Sequence, residues 1–213
     1  MRMPLAILAA CCIAIPAMAS ETRLDKVEVS ADLPALERGM DTLMNACRSC
    51  HGMKYIKYRD LAALGMDKQK VDVWRDGQPM DAALLAQMSE NDAMQAYGKA
   101  PPDLSLIAKA REGGANYVYS YLLGYYVTPE GMPGNHIFPE TRMPDILGIS
   151  GATDEAQRAE IRGKARDLVS FLAWAADPHA QERRRLGYYV LGYLFVLTIL
   201  LYLVKKQIWS RLE

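Results

Sequence analysis

The most specific chemistry in the chain is carried by five adjacent residues, Cys47-Arg48-Ser49-Cys50-His51. Two thiols three positions apart share one face of a helix, and an imidazole follows directly. This C-x-x-C-H run is the attachment pattern for c-type haem. Both thiols can add to the vinyl groups on one side of a porphyrin, after which His51 reaches the iron as proximal ligand. The rival readings fit these residues less well. A structural zinc site wants four ligands, usually with a second cysteine pair. A thioredoxin-like dithiol wants a βαβ context, whereas Pro34 to Ala46 reads as helix. A plain disulfide leaves His51 without a role. One motif implies one covalent haem c.

A distal iron ligand has to come from elsewhere. Twelve methionines and two further histidines, His136 and His179, are available. Most methionines read as core filler. In a c-type fold the distal methionine arrives late, on a loop far from the cysteine pair. Met132 and Met143 both meet that description, and each is followed by a proline that restrains the backbone beside the sulfur. Spacing alone leaves the two even. A thioether ligand would raise the potential relative to two histidines.

The elements that must position these groups read as helices. Asp32 can cap a helix running to Ala46, with Pro34 in its first turn and Leu36, Met40, Leu43, Met44 and Cys47 at spacings of three and four. Residues 52–100 are mixed, with a short helix expected at Met80 to Met88. Pro101-Pro102-Asp103 breaks the chain and starts a helix through Ala110 that ends at Gly113-Gly114. Asn116 to Tyr125 is apolar and aromatic and reads as helix; Thr128 to Ser150 is rich in Pro and Gly and reads as a long loop. Thr153 is expected to cap a last helix with Ile161, Ala165, Leu168, Leu172 and Ala176 on one face. No convincing strand run, repeat or low-complexity tract stands out. The sum is an all-α fold, a cytochrome c-like haem domain, followed by one C-terminal transmembrane helix.

That anchor is read from Leu186 to Val204, 19 residues without a charge between Arg183-Arg184-Arg185 and Lys205-Lys206. Such a helix is about 28 Å long, close to the thickness of a bilayer core. Tyr188, Tyr189, Tyr202 and Trp209 lie near its ends, as interfacial aromatics do. At the other terminus, Arg2, an apolar stretch and Ala17-Met18-Ala19 describe an export signal cut before Ser20. Cys11 and Cys12 would leave with it. The alternative, a lipoprotein box at Leu8-Ala9-Ala10-Cys11, has a very short apolar run before it. The positive-inside count ties at three on each side, so the export signal decides orientation. Residues 1–19 are then a signal peptide, 20–182 a periplasmic haem domain, 183–206 the anchor and 207–213 a cytoplasmic tail.

Composition excludes several classes. With 51% apolar and 23% charged residues the chain has material for a core, which rules out global disorder. Four cysteines are too few for a disulfide scaffold. The formal charge of zero argues against a nucleic-acid partner. It divides unevenly, however: residues 20–182 hold 24 acidic and 18 basic groups, a net −6, while the signal and the membrane flanks are basic.

Four blocks in order resemble the cytochrome c1 family, the haem-bearing subunits of quinol–cytochrome c oxidoreductases (bc1 complexes). Cys47 to Leu61 is similar to that family's haem segment, with a Tyr-x-x-Tyr-Arg stretch after the cysteine pair. Ala100 to Tyr125 is the most specific block; Phe171 to Pro178 and the terminal span complete the pattern. The resemblance implies haem attachment at Cys47 and Cys50, with His51 and Met143 as the iron ligands, which separates Met143 from Met132. It implies Arg111 and Tyr117 near the haem propionates and Pro101 on the haem edge. The sequence departs at His136-Ile137-Phe138, where an Asn-Pro-Tyr-Phe type run is usual, and at Asp177, where Glu is usual. The implied function is one-electron transfer, with no bond-making chemistry of its own, from a Rieske iron–sulfur protein to a cytochrome c acceptor. The protein would sit beside cytochrome b in lipid, in a bacterial inner membrane with the haem domain on the periplasmic side. A free membrane-tethered cytochrome c serving an oxidase or reductase, and a haem-based ligand sensor, are the rival functions.

Overall fold

Helix α1 (Leu33–Thr42) starts as its sequence dictates. The Asp32 carboxylate accepts a hydrogen bond from the Ala35 N–H at 3.2 Å, and Pro34 occupies the first turn, where its missing donor costs nothing. This is a computed structural model, and it describes residues 23–211. The expected signal peptide, with Cys11 and Cys12, lies outside the described residues. Helix α1 buries Leu36 and Met40 against α7 (Glu155–Ala176), and the two approach very closely. A Cβ at Gly39 would overlap the Asp167 carbonyl oxygen, so the crossing requires glycine. Next to it, Arg38 Nε donates to the Asp167 carboxylate at 2.5 Å.

Beyond α1 the chain widens into a single π-type turn, Leu43–Cys47, closed by the Arg48 N–H donating to the Leu43 carbonyl at 2.9 Å. Such wide turns recur at functional sites. Strand β1 (Met53–Lys57) follows, then α2 (Tyr58–Leu64) and α3 (Lys68–Arg75), neither of which stands out in the sequence. The helix expected at Met80 to Met88 does not form. Ala83–Leu84 make β2, antiparallel to β1, and the Gln87 and Met88 N–H groups donate to the carbonyls of Arg48 and Ser49. Those backbone donors serve the cysteine turn and so are not free for a helix. The nearest helix is α4 (Glu90–Tyr97), capped by Ser89.

The helix expected from Pro102 shrinks to α5 (Ile107–Ala110) because residues 102–105 are bonded to the segment after the cysteines. The Leu104 N–H donates to Gly52 O, Lys54 N–H to the Asp103 carboxylate, and Tyr55 N–H to Ser105 Oγ. Helix α6 (Gly114–Leu123) starts after Gly113, whose φ of +83° lies in the left-handed region that favours glycine. Residues 128–150 are largely irregular, as expected, apart from a hairpin of β3 (Tyr125–Val127) with β4 (Pro133–Asn135) and a 3-10 turn at Ile149–Gly151. Among the described residues two two-stranded ladders therefore exist where none was expected. Strands of two to five residues are too short to show a period of two.

Helix α7 is capped by Asp154 rather than Thr153; Asp154 accepts from the Gln157 N–H, while Thr153 N–H and hydroxyl both reach the Gln157 side chain. Its expected face is buried at Ala165, Leu168, Leu172 and Ala176, joined by Val169 and Phe171 because α1 covers the adjacent side. Asp177 and Pro178 break the chain before α8 (Ala180–Trp209). This helix is long and apolar enough to cross a membrane and none of it is buried by the rest of the chain. The fold is thus mostly helical, with one C-terminal apolar helix.

Candidate haem-binding site

One apolar cleft runs between the π-turn, α5, α6, the 138–146 loop and α7, and the seven residues that the family resemblance implies all line it. Cys47, Cys50 and His51 come from the turn, Pro101 from the proline break, Arg111 from the end of α5, Tyr117 from α6 and Met143 from the loop. Leu104, Ile107, Val118, Leu122, Leu168 and Leu172 supply the apolar walls. Met132 is elsewhere: it sits in the β3–β4 connection, 63% exposed. Of the two methionines that spacing leaves even, the fold brings only Met143 to the cysteines.

The cysteine turn is closed by the Cys50 and His51 N–H groups, which both donate to the Cys47 carbonyl, at 3.1 and 2.8 Å. Both thiols are free of disulfide. Burial, with a smaller contribution from Cys50, pushes the Cys47 thiol up to about 12. His51 Nδ1 lies 2.7 Å from the Pro102 carbonyl oxygen. A carbonyl can only accept, so Nδ1 carries the proton and the lone pair belongs to Nε2. Burial lowers the His51 pKa, against the Pro102 hydrogen bond and the Asp103 charge, which raise it. A neutral imidazole with a fixed tautomer is the form that ligates a metal.

The Pro102 carbonyl is itself fixed. Asp103 accepts from the N–H groups of Lys54 at 2.8 Å and Ser105 at 2.9 Å, which clips the proline segment to the residues after His51. The 138–146 loop is held from three sides. Asn135, fully buried, donates from Nδ2 to the Tyr121 carbonyl and accepts at Oδ1 from the Ile137 and Phe138 N–H groups. Arg142 donates to the Tyr97 carbonyl at the end of α4. The hydroxyls of Tyr121, Tyr125 and Thr141 meet beside Met143, and burial followed by the Tyr121 hydrogen bond raises the Tyr125 pKa far above its usual value.

Pro102, Asp103, Asn135, Tyr121, Tyr125 and Thr141 are the contributors that sequence reasoning missed. Tyr117, Tyr121 and Tyr125 recur every four residues; α6 carries the first two on one face and Tyr125 follows at the start of β3, and their rings stack at 6.3 Å and meet edge-on at 5.7 Å. That periodicity was the available sign. Asn135 stands directly before the divergent residues 136–138 and organises them.

The donor set fits a covalent haem: two thiols on one turn, an imidazole with its outer nitrogen engaged, a thioether on the same cleft and apolar walls between them. A helical domain of this design, carried on a single apolar helix, is a membrane-anchored c-type cytochrome. Comparison with known proteins narrows the class. The model of the Cytochrome C1 family matches residues 24–212, and the chain belongs to that family, whose members carry a covalently bound haem c. Among its relatives is a Cytochrome c1 of Rhodospirillum rubrum, 35% identical over 85% of this chain and 83% of that protein. An Ammonia monooxygenase gamma subunit of Nitrosomonas europaea is 32% identical over 91% of this chain and 90% of the relative. A Cytochrome b/c1 of Bradyrhizobium diazoefficiens is 32% identical over 84% of this chain but only 33% of that longer protein. In fold the chain is similar to a chain of a Hyperthermophilic respiratory Complex III, with a TM-score of 0.53, 19% identity, and coverage of 90% of this chain and 88% of the other.

Proposed function

We propose that this chain is the haem c subunit of a quinol–cytochrome c oxidoreductase, taking single electrons from a Rieske iron–sulfur protein and giving them to a cytochrome c acceptor. The observation that carries the reading is the gathering of Cys47, Cys50, His51 and Met143 around one apolar cleft in a chain of this family. In this reading Cys47 and Cys50 hold the haem through thioethers, and His51 Nε2 and Met143 Sδ ligate its iron. Arg111 and Tyr117 neutralise and hydrogen-bond the propionates, and Pro101 packs on the haem edge. When bound, the haem supplies a reversible one-electron iron couple.

The chain's own residues set the conditions for that couple. Nδ1 of His51, held by Pro102, fixes the imidazole plane, while burial keeps the ring neutral. Leu104, Val118, Leu168 and Leu172 exclude water from the cleft, which disfavours the more highly charged oxidation state. Phe138 and Ile146 on the cleft wall stay partly exposed and offer an apolar rim for a docking partner.

The domain boundaries follow the same reading: residues 1–19 as a cleaved signal peptide, 20–182 as the haem domain, 183–206 as the anchor and 207–213 as the tail. The anchor lies beside cytochrome b, a neighbour supported by the relative whose name joins b and c1. The membrane is a bacterial inner membrane, with the haem domain on its periplasmic side. Purification of the intact membrane complex from its host tests the whole assignment. Optical signals of b-type and c-type haem in one complex, with a Rieske electron-paramagnetic signal, are expected; a complex lacking b-type haem and the Rieske cluster overturns it.

A further inference from the structure

We propose that the hydroxyls of Tyr121, Tyr125 and Thr141 form a latch that holds Met143 in the cleft wall, making these three residues positioning residues for the distal ligand. The inference rests on the reading of Met143 as that ligand and adds the device that keeps it there.

Met143 lies in a stretch with no regular secondary structure, so no helix or strand fixes its backbone. Its two backbone polar groups are nevertheless both bound by side-chain hydroxyls. The Met143 N–H donates to Thr141 Oγ1 at 3.2 Å, and Tyr125 Oη donates to the Met143 carbonyl at 3.0 Å. The two hydroxyls are joined through a third. Tyr121 Oη and Thr141 Oγ1 are 2.5 Å apart, and Tyr125 Oη also points its donor at Tyr121 Oη, at 3.0 Å. Tyr125 has one proton to give, so it is shared between Tyr121 and the Met143 carbonyl, and the chain of hydroxyls closes around the loop.

Two of the three anchors are rigid. Tyr121 sits on α6 and Tyr125 begins β3, whose partner strand β4 ends in the buried Asn135 that grips the Tyr121 carbonyl. The Tyr121 and Tyr125 rings also meet edge-on at 5.7 Å, which fixes both phenols independently of the hydrogen bonds. A thioether is a weak, neutral ligand on a flexible side chain, so a loop free to move by a few tenths of an ångström would let it leave the iron. The latch removes that freedom at both ends of the residue that carries the sulfur.

The test uses the haem-loaded full-length protein in its membrane complex, with Thr141→Val, Tyr125→Phe and Tyr121→Phe, and with Thr141→Ser as the conservative control. Haem attachment, followed by covalent haem stain, is expected to be unchanged, because the cysteine turn lies outside the latch. The far-red ferric band of methionine–iron bonding is expected to weaken in Thr141→Val and Tyr125→Phe. Carbon monoxide binding by the reduced form is expected to rise about tenfold, the shift that one ordinary hydrogen bond gives. Thr141→Ser should retain the wild-type band. A double variant Tyr121→Phe/Thr141→Val no worse than Thr141→Val alone would show that the two act through one chain. If Met143→Leu abolishes the band while the three latch variants leave band and carbon monoxide binding unchanged, the latch is refuted and the ligand reading stands. If Met143→Leu leaves the band intact, the ligand reading itself fails and the latch falls with it.

Discussion

His51 Nδ1 donates to the Pro102 carbonyl across 51 residues of sequence, at 2.7 Å, and this contact decides which imidazole nitrogen is free to bind a metal. The carbonyl is aimed by Asp103, whose carboxylate gathers the Lys54 and Ser105 N–H groups. Asp103→Ala is therefore expected to loosen the proximal ligand without touching it. A loss of about 1–2 kcal/mol is expected from two backbone hydrogen bonds to a charged, partly exposed acceptor. The haem-loaded protein should melt at lower temperature and its midpoint potential should fall, while Asp103→Asn should retain part of both. A potential and melting point equal to wild type in Asp103→Ala would remove this role.

Gly39 marks a close approach between α1 and α7. A side-chain carbon there would overlap the Asp167 carbonyl and stand 2.9 Å from the Phe171 Cβ, so even alanine forces the helices apart. Both neighbours are backbone or the rigid base of a ring, so no side chain can swing away. Gly39→Ala should cost on the order of 3 kcal/mol, the upper range of overpacking. Haem-stained protein in membranes should drop sharply, whereas Gly151→Ala, which meets nothing within 4 Å, should accumulate normally. Equal accumulation of the two variants would contradict the close crossing.

Most of the residues that line the candidate site were legible in the sequence, and the reasons are physical. The C-x-x-C-H spacing is dictated by covalent attachment, and capping and apolar periodicity locate α1, α6 and α7 because long helices repeat their pattern several times. The failures have one common cause. Residues 80–88 and 102–105 gave up helical hydrogen bonds to bond the cysteine turn and its continuation, partners 21 or more residues away that no local pattern reveals. The polar groups that steady the site, Asn135 and Asp103, look like ordinary loop residues until the backbone donors they collect are seen. Met143 shows the limit best: spacing left it equal to Met132, and only the resemblance or the fold separates them.

Tyr58 carries a different kind of prediction. Its ring is fully buried in the core beside Leu61 and Ile56, yet among the described residues its hydroxyl has no hydrogen-bond partner. A buried hydroxyl without a partner loses its hydration and gains nothing in return. Tyr58→Phe keeps the ring and removes that cost, so the thermal midpoint should rise, by the equivalent of about 1 kcal/mol. A midpoint that falls instead would mean that the hydroxyl is satisfied by an internal water.

Asp177 joins the haem domain to the start of the anchor. Its carboxylate accepts from Arg183 on α8 and from Lys109 on α5 at 2.6 Å, and these hydrogen bonds, Arg183 first, hold its carboxyl well below its ordinary value of 3.8. A depressed folded-state value means that the ion pairs stabilise the fold fully above the ordinary value and lose their effect as pH falls through the lower one. Asp177→Asn should therefore melt below wild type at pH 7, with a gap constant down to about pH 5 that closes as pH falls below about 4. A gap that widens with acid would assign the effect to packing rather than charge.

The charge distribution predicts how a partner arrives. Residues 20–182 carry a net −6 although the whole chain sums to zero, so if they form the proposed haem domain outside the membrane, that domain presents an acidic field. Exposed charges act over about 30 Å at 0.01 M salt but only about 8 Å at 0.15 M. A basic c-type cytochrome should thus be drawn in at low salt and released from that pull as salt rises. Stopped-flow oxidation of the reduced complex by such an acceptor is expected to slow about tenfold across that range, a size typical of electrostatic steering. The slowing should be smaller with an acceptor of neutral surface. A rate indifferent to salt with the basic acceptor would mean that the acidic groups lie away from the docking face, leaving the apolar rim around Phe138 and Ile146 to select the partner.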